Sequence, residues 1–138
     1  MKTNLKIVFS DEETIKIHDF IEFFEYFYIL YLKFTNEYKT EKEFKEILEN
    51  NFSNVKLTKS DINQYKGKVT NLEICELSKH SPLEIVLNGD YLPLLSTICF
   101  LMPKKLKISY KDIKFKIEIG SSFTEIVKSI KKRNLKEI

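Results

Sequence analysis

His18, His80, Cys75 and Cys99 are the residues from which a metal centre or an acid–base pair would have to be built, because the 138-residue chain has only two His and two Cys. Their spacing makes no ligand set, and the Cys75–His80 pair lacks the partners that a zinc quartet needs. Either histidine reads as a surface or turn residue. The two cysteines stand in apolar contexts and read as buried free thiols. Glu22 and Glu25 fall at i, i+3 on one helix face, a pattern of solvated faces more than of catalytic carboxylate pairs. The three glycines are isolated, so no phosphate-cradling loop forms, and Gly-x-Ser-x-Gly is absent. These residues predict no enzyme, no metal, no cofactor and no small-molecule substrate.

The charge distribution allows a different chemistry. Residues 1–102 hold 12 lysines against 16 acids, whereas residues 103–138 hold 11 basic residues against 4 acids. Lys104, Lys105, Lys107, Lys114, Lys116, Lys128, Lys131, Lys132 and Arg133 form a candidate polyanion-binding surface. Lysines near a helix C-terminus also answer the helix dipole, which gives part of the cluster a structural reason to exist. The chain has a single Arg. Guanine and phosphate readers usually rely on Arg forks, so weak, non-specific nucleic-acid binding is the most this surface predicts.

These groups need elements to hold them. Alternation predicts strands over Leu5–Phe9 and Thr14–His18, joined as a hairpin. Asp19 and Glu22 then match a capping box for a helix to about Asn36. Its apolar arc, Phe20 to Phe34 widened by Ile21 and Leu32, spans roughly 200°, twice the ~100° that one-sided packing needs. The helix must therefore touch the sheet and a second body, either another helix of the chain or a partner. Tyr26, Ile29, Ile21 and Leu32 are the candidate partner-binding residues. The polar face is acidic, which argues against membrane-surface binding.

Thr40 and Glu43 cap a second helix to about Asn51. Between Ser53 and Lys68, Val55–Leu57 suggests a short strand and Ser60–Tyr65 a helical turn. Val69–Lys79 reads as a strand in which Leu72 and Ile74 fall on opposite or bulge-shifted faces relative to Cys75 and Leu77. Leu83–Leu87 is a strand, and Tyr91–Met102 a helix with almost no polar face, hence buried and too short to cross a bilayer. Leu106–Tyr110 and Ile113–Ile119 make a hairpin about a Lys111-Asp112 loop, which would set Lys107 opposite Lys116. Ser122 and Glu125 cap a last helix.

The expected fold is one α+β domain over residues 1–138. It is a largely antiparallel sheet of about five to six strands with about four helices, in the order ββααβ(β)αββα. The first residues read as strand without an apolar signal-peptide core, so a cytoplasmic location is expected.

The run Ser81-Pro82-Leu83-Glu84-Ile85, followed by the apolar helix, the hairpin and the amphipathic helix to Arg133, resembles small bacterial conflict-system proteins of the effector-associated constant component type. The resemblance covers residues 81–133 and implies an adaptor beside effector domains; no site residue comes with it. The expected function is thus a non-enzymatic adaptor that binds a protein partner, or itself as a homodimer, through the aromatic helix. The alternative is a polyanion-binding inhibitor of a nucleic-acid-handling complex, anti-CRISPR-like, using the basic end.

Overall fold

Leu5 and Ile7 of β1 (Lys2–Val8) are buried, and the whole sheet is built outward from this strand. On one side β1 pairs antiparallel with β3 (Glu84–Asp90), matching Leu5 to Leu87 and Ile7 to Ile85. On the other it pairs in parallel with β5 (Lys114–Ile119), matching Leu5 to Phe115 and Ile7 to Ile117. β2 (Glu73–Ser78) adds antiparallel to β3, and β4 (Leu106–Lys111) antiparallel to β5, giving the order β2-β3-β1-β5-β4. The helices are α1 (Ile17–Glu37), α2 (Glu41–Glu49), α3 (Lys59–Tyr65) and α4 (Tyr91–Leu101), and residues 126–129 are also helical. This computed structural model describes residues 2–8, 16–50, 52, 54–68, 70–78, 84–101, 106–111, 114–119 and 126–129.

The α+β class holds, but the expected layout does not. Among the described residues there are five helical segments. Only β2, β3 and β1 form a continuous antiparallel block, and the parallel β1–β5 pair breaks the pattern. Ile17 and His18, expected in a second strand, are the first turn of α1. That helix starts behind Lys16 with no side-chain cap, so Asp19 lies inside the first turn instead of capping it. Val55–Leu57 is not a strand, whereas the helical turn expected at Ser60–Tyr65 is present within the helix α3. The β4–β5 register is offset by two residues from expectation. Tyr110 pairs with Phe115 and Lys107 with Glu118, so Lys107 does not oppose Lys116. A two-residue slip keeps every residue on its own face, which is why period-two alternation could not fix it. The helix expected from Ser122 lies outside the described residues except for 126–129.

Apolar burial and two buried polar side chains, Tyr31 and Lys33, help to pin α1 to the rest. Phe23, Phe27, Ile29, Leu30, Tyr31 and Phe34 are fully buried, and α1 packs on both α4 and α3. The phenol of Tyr31 donates to Asn71 Oδ1 at 2.6 Å and accepts from the Asp90 amide at 2.8 Å. Gly89 lies beneath it, where an added Cβ would stand 2.9 Å from Tyr31 Oη, so the close approach of helix to strand requires glycine here. The second pin is Lys33, which is buried. Its ammonium donates to Glu37 on the next turn and, at 3.1 Å, to Asp61 of α3.

α3 is short, and its start explains why it holds. The Thr58 hydroxyl accepts from the Asp61 amide while Asp61 Oδ2 accepts from the Thr58 amide, a reciprocal cap. Asp61 thus serves Lys33 with one oxygen and Thr58, through its amide and its hydroxyl, with the other. The Thr40–Glu43 cap expected for α2 is present, with the Glu43 amide donating to Thr40 Oγ1 at 3.2 Å. Beyond α2, Phe52 takes a left-handed φ of 58° and sets its ring against Phe34 and Phe100.

Candidate interaction surfaces

Three of the four residues expected to meet a partner are core. Tyr26, Ile29 and Leu32 are buried within this chain. The wide apolar arc of α1 is satisfied internally, by α4 and α3. As a free surface this part of the helix is therefore corrected: the second body is the chain's own helices. Ile21 is the exception, at 55% exposed, and Ile17 one turn earlier is 76% exposed. Both belong to a stripe at i, i+3, i+4, i+7 whose other members, Phe20 and Phe24, are partly buried with rings 4.9 Å apart. Sequence reasoning missed Ile17 because Thr14–His18 alternates like a strand.

The second exposed apolar site is β2. Residues 73–77 are all exposed, with Ile74 at 52% and Leu77 at 44%. The register slips between Ile74 and Glu76, so the β-bulge that the sequence allowed is present. Its consequence is specific. Ile74 pairs with Leu87 and Leu77 with Ile85, so both fall in rows with the buried residues of β3. Cys75 sits in the bulge and is exposed, which corrects the expectation of a buried thiol; Cys99 is partly buried and also free. Burial pushes the Cys99 thiol up to about 11.

The basic end is described only in part. Lys128 is exposed. Lys107, Lys114 and Lys116 are placed by strand register alone, and Lys104, Lys105, Lys131, Lys132 and Arg133 lie outside the described residues. No grouping of these cations is shown.

His18 does meet a carboxylate, Glu22, but across one turn of α1 and with an imidazole 78% exposed. That is a local contact within a single helix and not a cleft. His80 lies outside the described residues. Among the described residues no three His, Cys, Asp or Glu are grouped to hold a metal, and no helix is long and apolar enough to cross a membrane.

Two grooves flank Tyr38. One, of about 240 Å³, runs past Glu43, Glu46 and Phe52; the other, of about 390 Å³, past Lys39, Asp90 and Tyr91. Two polar groups of the larger groove are engaged within the chain: Lys39 donates to the Thr35 carbonyl, and Asp90 accepts from Asn71. Burial, opposed in part by Lys33 and aided by Glu37, holds the Tyr38 phenol above its usual range, so it stays protonated at neutral pH. Neither groove sets a nucleophile beside a base.

Comparison of the chain with protein-family profiles, with curated proteins and with solved structures gives no match.

Proposed function

We propose that this chain is a non-enzymatic interaction protein, an adaptor that docks a protein partner on the first two turns of α1. The observation that carries the reading is the exposure of Ile17 and Ile21, two large aliphatic side chains one turn apart on a helix whose other apolar side chains are buried or partly buried. An apolar stripe at this spacing is what helix-in-groove recognition uses. The resemblance of residues 81–133 to conflict-system adaptors agrees with it and sets the expected context, a bacterial or phage defence complex. A homodimer formed through the same stripe is the variant in which the partner is a second copy.

Ile17→Glu combined with Ile21→Glu tests this. Both sites are exposed, so the melting temperature should stay within a few degrees of the parent. Cross-linking in the native host should recover a partner with the parent chain and lose it with the double variant. An unchanged set of partners would remove the reading.

The basic end supports a second reading, polyanion binding, through the excess of 11 basic residues over 4 acids in residues 103–138. Direct binding would show as RNA or DNA affinity that falls steeply with salt.

A further inference from the structure

β2 and β4 stand at opposite ends of the strand order. Followed from strand to strand, the register draws rows across the sheet. The row that starts at Ile74 passes Leu87 and Leu5 and ends at Tyr110. The row from Leu77 ends at Ile108, the row from Glu73 at Lys111, and the row from Ser78 at Lys107. So apolar ends lie across from apolar ends, and an acid lies across from a lysine.

The strand directions agree with this match. Three antiparallel steps and one parallel step separate β2 from β4, so the two strands run in opposite directions. A second copy set beside the first in the same orientation brings its β4 against β2 as an antiparallel pair. With the rows continued, Ile74 meets Tyr110 of the next copy, Leu77 meets Ile108 and Glu73 meets Lys111. The bulge at Cys75 is what keeps Ile74 and Leu77 both in apolar rows, so this match depends on it.

We infer that β2 of one copy takes β4 of a second copy, extending the sheet from chain to chain. The acids decide between this pairing and its rival. Two β2 strands placed edge to edge would bring together four exposed glutamates, Glu73 and Glu76 from each, and like charges across a strand pair repel. Against the lysine-bearing edge, Glu73 falls opposite Lys111, and Glu76, opposite Ser109, is diagonal to Lys107 and Lys111. The contact joins two different surfaces, so it does not close on itself as a twofold dimer does. It propagates as an open chain or closes as a ring. Edge charges and a bulge are also the devices that keep a lone sheet from pairing at all, and that outcome is a monomer.

The inference is independent of the α1 docking face, and charge reversal tests it. Sedimentation velocity of the parent chain over a concentration series should show species larger than a dimer at low salt, retreating as salt rises. Glu73→Lys with Glu76→Lys should raise the concentration needed for association about tenfold, and Lys107→Glu with Lys111→Glu should do the same. An equimolar mixture of the two double variants should associate again, because each then offers the other an opposite edge. That rescue separates edge pairing from a failure to fold. A parent chain that stays monomeric at millimolar concentration and low salt would overturn the inference, as would variants that associate like the parent or a mixture that stays apart. Ile17→Glu with Ile21→Glu should leave this association intact, so the two surfaces fail separately.

Discussion

Tyr65 shows how a single buried phenol ties stability to pH. Burial, its hydrogen bond to Glu37 Oε2 at 3.1 Å and the charges of Glu37 and Asp61 push it up to about 12. In the unfolded chain a tyrosine ionises near ~10. Between those values the unfolded state has released the proton and the folded state still holds it, so rising pH favours unfolding. The Tyr65 contribution is complete below ~10 and is lost as pH climbs through about 12. Cys99, held at about 11 by burial, adds a loss of the same sign that begins at lower pH. Lys33 joins them. Burial lowers its pKa, but the hydrogen bonds to Asp61 and Glu37 and the charges of both together outweigh burial and leave it raised. We expect denaturant midpoints to fall steadily from pH 9 to pH 12. Tyr65→Phe should flatten the upper part of that fall while costing about 1 kcal/mol at pH 7 for the lost hydrogen bond. Parallel pH profiles for parent and variant would contradict this account.

At the scale of elements, the α1–α3 contact rests on a charge pair. Lys33 and Asp61 both have side chains about nine-tenths buried, so truncating one strands the other. Lys33→Met should cost about 3 kcal/mol in chemical denaturation, the low end of the range for buried pairs, because Asp61 keeps its bonds to Thr58. A variant as stable as the parent would mean that the pair is solvated in solution. The sequence did not disclose this contact: Lys33 reads as part of a solvated helix face, and α3 has too few apolar positions for its period to show. Other features were legible where local chemistry alone decides them. The aromatic arc predicted a helix covered on more than one side, where α4 and α3 now stand, the Thr40–Glu43 pair predicted a cap, and the faces of Leu72 and Ile74 relative to Cys75 and Leu77 allowed a bulge. The start of α1 was not legible, because Ile15-Lys16-Ile17 satisfies strand alternation as well as it satisfies a helix. Nor was the exposure of Ile74 and Leu77, since an edge residue and a core residue have the same alternation. Exposure depends on how far the helical layer reaches, which is a property of the assembled fold.

The whole molecule hangs on β1 in a way that no local pattern could reveal. Periodicity marks Leu5–Phe9 as a strand but is silent on its neighbours, and the nearest candidate in sequence was the wrong one. Its real partners, β3 and β5, come from the far half of the chain, and the parallel pairing with β5 needs a long connection between the two strands. Closing such long loops costs entropy before the contacts form, so β1 should enter the sheet late in folding. Ile7, fully buried between Ile85 and Ile117 in the register, is the place to test this. Ile7→Ala should cost about 2–5 kcal/mol, as large-to-small changes in cores do. If β1 docks after the transition state, nearly all of that cost should appear as faster unfolding, with the folding arm of the chevron almost unchanged. A comparable slowing of folding would place β1 in the nucleus and would show that the long-range pairs form first.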